Sequence, residues 1–107
     1  MARHIESGVL TTAWVKLFTM PNTPILQVTN FIVVNAVGSK VNVWFAIMPP
    51  GSVTGDEPHA ILWSFGINTD DKIEFFNGGM IGPNEQLWGM CDTGNNSISW
   101  RVSGDLA

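Results

Sequence analysis

Tyrosine is absent from this chain, and cysteine occurs once, at Cys91. A single thiol excludes an intrachain disulfide, so nothing here reads as a secreted disulfide scaffold. Basic residues are few: Arg3, Lys16, Lys40, Lys72 and Arg101 stand apart from one another, and the net charge is −4. A nucleic-acid binder neutralises phosphates with a basic patch or stripe. None is visible, so no nucleic-acid partner is expected. Long apolar runs are missing as well. The longest is VWFAIM, Val43 to Met48, far short of the roughly 20 residues that a membrane helix needs. The opening MARHIESG has no apolar h-region, so no signal peptide is expected. Without secretion the sequon Asn95-Asn96-Ser97 has no expected role. The expectation is a soluble protein that folds in a reducing cytoplasm.

What is present is apolar. Hydrophobic residues make up 45% of the 107 and charged residues 13%, enough to fill one core and too short for two domains. No stretch of useful length repeats its apolar residues every 3.6 positions. Alternation is everywhere instead, as strands require. In KVNVWFAIM, Val41, Val43, Phe45 and Ile47 share a face. In AILWSFGI, Ile61, Trp63, Phe65 and Ile67 do the same. In SISWRVS, Ile98, Trp100 and Val102 alternate with Ser97, Ser99, Arg101 and Ser103. TAWVKLF sets Ala13, Val15 and Leu17 against Trp14, Lys16 and Phe18. PILQVTNFIVV is apolar on both faces near its end, as in a central strand, and KIEFF and QLWGMCD are shorter strands. MPNTP, NAVGS, PPGSVTGDEP, NTDD, NGGMIGPNE and TGNN supply the turn residues between them.

The predicted fold class is all-β: an antiparallel β-sandwich, jelly-roll-like, of seven to eight strands. Residues 1–8 read as a polar N-terminal arm and residues 9–107 as the single domain.

Five tryptophans and six phenylalanines stand out. Trp63 and Trp100 are in phase with core residues and are expected inside. Trp14, Trp44 and Trp88 are out of phase with the apolar faces of their strands. Met48 shares a face with Trp44, and Met90 with Trp88. A small sandwich has one inner face per sheet, so large apolar residues on the other face need a second cover. Interfaces are enriched in Trp and Met and depleted of charge at their core. Trp14, Trp44, Met48, Trp88 and Met90 are therefore the candidate subunit or partner interface. A long loop folding over them would be the other way to cover them.

The chemistry of catalysis is not legible. Ser52, Asp56 and His59 share a loop but form no nucleophile motif, and there is no G-x-S-x-G turn. Cys91 sits in a strand, far in sequence from His4 and His59. One Cys and two distant His make a poor zinc set. NTDDK and DTGNN offer oxygens without the EF-hand spacing. No enzyme activity, metal or other cofactor is expected. The segment PPGSVTGDEPHA is the most site-like, through Asp56, Glu57 and His59. It reads as an exposed acidic loop between two strong strands, a connector or a contact loop for a partner.

The order of features resembles a family of small β-sandwich structural proteins of tailed bacteriophages, known as head decoration, head-fibre or minor tail proteins. The resemblance runs from about Gly8 to Gly104. It rests on GVLTTAWVKLFTMP, ILQVTNFIVVN, VNVWFAIMPPG followed by AILW, GGMIGPNEQLWGMCD, and the closing ISWRVSGD. The Trp and Met load and the acidic GDEPH are departures from it. The resemblance implies a virion protein made in the bacterial cytoplasm, without enzymatic activity. The first expectation is a capsid decoration (cement) protein, a homotrimer bound to the major capsid protein. The alternative is a tail, head-fibre or baseplate component bound to another virion protein. From the residues alone, exposed indoles also suit a carbohydrate-binding module, because indoles stack on sugar rings.

Overall fold

The computed structural model describes residues 3–22, 25–75, 79–93 and 97–106. Met1 and Ala2, part of the MPNTP and NGGMIGPNE turns, Phe76 of KIEFF, and Asn95-Asn96 of the sequon and of DTGNN lie outside them.

The described residues form nine strands: β1 (Arg3–Val9), β2 (Val15–Thr19), β3 (Leu26–Asn35), β4 (Val41–Met48), β5 (Ala60–Ile67), β6 (Lys72–Phe75), β7 (Gly79–Ile81), β8 (Gln86–Cys91) and β9 (Ile98–Leu106). One sheet has the order β1-β9-β3-β6, with β7 added on β3; the other has the order β2-β8-β4-β5. All pairings are antiparallel. With β7 set aside, the pairs nest: first with last, then β2 with β8, β3 with β6, and β4 with β5. A long hairpin rolled over so that its pairs fall alternately into two sheets is the jelly-roll form of the β-sandwich. The all-β antiparallel sandwich expected from alternation is the one found, with nine strands in place of seven to eight.

The core lies between the sheets. Phe31 and Phe45 meet edge to face at 4.9 Å, the arrangement aromatic quadrupoles favour. Phe18 stacks on Trp100 at 6.1 Å. Val41, Val43 and Phe45 are buried and Ile47 packs against them, as the alternation in β4 predicts. Ile98, Trp100 and Val102 of β9 are likewise buried. Asn35 is fully buried where β3 ends. Its Nδ2 donates to the carbonyls of Ser39, Ile67 and Asn68, and its Oδ1 accepts from the Val37 amide.

Three expectations change. The polar arm of residues 1–8 is, from Arg3 onward, part of β1, paired along its length with β9. Its polarity hid it, because an edge strand needs few apolar residues and gains from charged ones. In β2 a register shift between Lys16 and Phe18 breaks the expected alternation, so Leu17 packs against the core that contains Phe18. Trp63, expected in the core with Ile61, Phe65 and Ile67, is 46% exposed, and Ile61 and Phe65 are exposed too. Only Ile67 is buried in that set, and Leu62 takes the core-facing place opposite Phe45. For Ile61 and Trp63 the cause is Ser64 at φ 51°, whereas Phe65, paired with Val43 before the bulge, is exposed on an edge strand. Between the pairs Val43–Phe65 and Phe45–Leu62, two steps along β4 match three along β5. A bulge of this kind turns the strand's faces over.

Candidate docking face

Alternation in two adjacent strands builds this face. In β4 and β8 the register pairs are Trp44 with Met90, Ala46 with Trp88, and Met48 with Gln86. Directly paired residues share a face, and this face points away from the main core. Ala46, Met48 and Trp88 form a second, separate buried cluster, and Trp14 packs against it. Trp88 is oriented by its Nε1–H, which donates to Gln86 Oε1 at 2.7 Å. Trp63 joins from β5, its ring 6.3 Å from that of Trp14 and tilted by 34°.

All five residues of the sequence-derived set, Trp14, Trp44, Met48, Trp88 and Met90, therefore belong to one side of the four-stranded sheet. They are not equally available. Met48 and Trp88 are buried within the chain itself, while Trp14, Trp44 and Met90 are half-buried. Part of the cover is the segment Pro49–His59, which packs over this side. Gly55 is buried, and a Cβ built on it would stand 2.5 Å from Cε3 of Trp14. Only a residue without a side chain lets the backbone approach the indole that closely. The 3-10 turn Glu57–His59 has no buried residue and lies beside β4, leading into β5.

The acidic loop has its own local order. Asp56 caps the 3-10 turn, accepting the His59 amide at 3.2 Å, and its Oδ1 lies 2.6 Å from His59 Nδ1. This is cap chemistry, and the side chains of both residues are more than a third exposed. Glu57 is exposed. Among the described residues, no three His, Cys, Asp or Glu side chains converge as a metal site would require. Cys91 is fully buried. Burial pushes its thiol pKa up, and the S–H donates to the Thr93 carbonyl, so the nucleophilic thiolate is disfavoured.

Charge separates the two sheets. Lys16 is the only charged residue in β2, β4, β5 and β8 together. The other sheet carries Arg3, Glu6, Lys72, Glu74, Arg101 and Asp105 in its strands. On the outer side of that charged sheet a shallow depression of about 480 Å³ is lined by Val9, Ile32, Val34 and Arg101, among others. It brings together no acid–base or nucleophile pair. Sequence reasoning missed two members of the apolar side, Trp63 and Gly55. The absence of charge from four strands was readable in advance, but their membership of one sheet was not.

No family model matches the chain, and no curated protein matches it. Among solved structures, the chain is similar to part of a chain in a structure of infectious bursal disease virus, Gx strain. Identity is 12% and the TM-score 0.44, with 96% of this chain and 33% of that chain covered. This chain thus spans about a third of the length of that one.

Proposed function

We propose that this chain is a non-enzymatic structural protein of a bacteriophage virion, a decoration protein that seats on the head surface as a homotrimer. The observation that carries a docking role is the outer side of the four-stranded sheet. It gathers Trp14, Trp44, Trp63, Trp88, Met48 and Met90 on a sheet with one charged residue. Such a composition is that of an interface core, where aromatic residues and Met are enriched and charge is depleted. The phage setting rests on the sequence resemblance from Gly8 to Gly104. The jelly roll suits it, since viral capsid and lectin domains both use that architecture, but the fold alone does not choose between them. On a capsid, many symmetry-related copies of a modest contact add stability through multivalency, and closed cyclic oligomers fit local symmetry axes.

The deciding experiment mixes purified protein with heads that lack it, and measures occupancy and the temperature of head disruption. Binding with a higher disruption temperature is expected. Absence of binding to heads, with binding to tails or baseplates, would favour the tail, head-fibre or baseplate role. A second reading has its own observation. Trp63 and Trp14, tilted and adjacent, form a partly open aromatic pair that suits stacking on a sugar ring. Binding to a glycan array by the wild type, lost in Trp63→Ser, would select that reading over assembly.

A further inference from the structure

We propose that the segment Pro49–His59 is a displaceable strap that covers the docking face in the isolated chain, and that a second copy of the chain competes with it for that face. This rests on the docking role proposed above, whose partner and regulation it specifies.

The strap is fastened mainly to itself. Ser52 bonds to the Pro49 carbonyl through both its amide and its hydroxyl; Thr54 Oγ1 donates to the Gly55 carbonyl; His59 bonds to Asp56 through its amide and its ring. The Ala60 amide closes back on Glu57. Among the described residues, every hydrogen bond made by 49–59 ends within 49–60. What ties the strap to the sheet is contact of Gly55 on Trp14, and continuity with β5, whose first residue Ala60 pairs with Ala46 of β4. The strap can therefore lift without breaking a hydrogen bond to either sheet. Few bonds to the scaffold and limited apolar contact mark a unit of low local stability. Its entry is a hinge of Pro49, Pro50 and Gly51, the last at φ 80°. At its tip Val53 is 88% exposed.

Charge favours a second copy as the competitor. Lys16 lies on the docking face, opposite Trp88. Among the described residues the ion pairs are His4–Glu6, His59–Asp56 and Lys72–Glu74. Lys16 and Glu57 take part in none of them. A second copy brings an acidic strap to Lys16, and a two-fold or cyclic contact repeats that pairing in each protomer. Lifting the strap then exposes the ring of Trp14, which itself packs on the cluster of Ala46, Met48 and Trp88. A partner that binds only the uncovered form has its affinity reduced in proportion to the fraction of time the face is uncovered.

The test uses full-length chain labelled with fluorotryptophan, so that each of the five tryptophans reports separately. The Trp14 signal is assigned with Trp14→Phe. Fluorine NMR reads the cover, and sedimentation reads self-association. In the wild type the Trp14 signal is expected to show microsecond–millisecond exchange, and the Trp100 signal none. Gly55→Ala puts a methyl group where the indole sits. It should move the Trp14 signal to a solvent-exposed position and tighten self-association roughly tenfold. Asp56→Ala, which loosens the turn without touching the sheet, should move both in the same direction by less, and it keeps the test valid if Gly55→Ala fails to fold. A Trp14 signal without exchange that stays covered in both variants overturns the strap. An uncovered Trp14 with unchanged or weaker association overturns the competition. A chain that stays monomeric in every form overturns self-docking, and strap opening is then decided by the Trp14 signal alone.

Discussion

The amide of Asn35 reaches from the end of β3 in one sheet to the carbonyl of Ile67 at the end of β5 in the other, at 3.0 Å. The same amide group serves Ser39 and Asn68, and the side-chain oxygen holds Val37. A turn residue by composition thus acts as a buried cross-tie between the layers. Asn35→Ala leaves the buried carbonyl of Ile67 without this partner and removes the part-buried bonds to Ser39, Asn68 and Val37. It should cost about 3 kcal/mol, read from denaturant unfolding at unchanged m-value. Asn35→Asp should be at least as damaging, since a carboxylate has no hydrogen to give the three carbonyls. A loss below about 0.5 kcal/mol for both would show that the tie does not form.

The indoles on the docking face should separate into structural and binding classes. Trp88 is 7% exposed and held by Gln86, so Trp88→Ser should cost about 3–5 kcal/mol in stability. Trp63 is 46% exposed. Trp63→Ser should change stability by no more than about 0.5 kcal/mol while weakening self-association or head binding. Thermal melts beside sedimentation or head-occupancy measurements distinguish the two. Equal stability losses from both variants would contradict the burial pattern.

Ser64 at φ 51° should resist β-branched replacement even though it lies in a strand. Ser64→Val forces a bulky residue into the left-handed region and should cost about 1–2 kcal/mol. Ser64→Gly should be neutral or stabilising by up to about 1 kcal/mol. A regular strand would give the opposite order, with Val the better residue. Comparing the two melting temperatures therefore reports whether the bulge that turns Trp63 outward exists.

Burial raises the Cys91 thiol pKa in the folded chain. As pH rises, the unfolded chain ionises first. This contribution to stability is complete below the ordinary thiol pKa and is lost progressively as the pH climbs from there toward the folded value. Denaturation curves across the alkaline range should show this loss as a difference from Cys91→Ala. Native protein at neutral pH should also react slowly with an alkylating reagent and rapidly once unfolded. Fast native alkylation would be inconsistent with a fully buried thiol.

Much of the architecture was legible because alternation is a local property. Val41, Val43, Phe45 and Ile47 needed only a period of two to be assigned to one face, and the scarcity of helical periodicity excluded the other fold classes. The five candidate interface residues came from the same logic applied in reverse, as large apolar side chains out of phase. What failed were positions where a single backbone step decides the outcome. Ser64 looks like any strand residue, yet its dihedral sends Trp63 to the other side. Residues 3–8 look like part of a polar arm until β9 is there to pair with them.

The sequence by itself determined the class of structure, a charge-poor antiparallel β fold, and the existence of an apolar surplus beyond one core. Composition and period suffice for that, because strands alternate whatever their neighbours are. Tertiary structure decided where the surplus goes. Nested pairing of strands far apart in sequence put β2, β4, β5 and β8 into one nearly uncharged sheet. The same packing laid Gly55 against Trp14 and made PPGSVTGDEPHA a cover for that sheet. Neither outcome is encoded in any short stretch, since each depends on long-range contacts that form only when the two sheets are assembled.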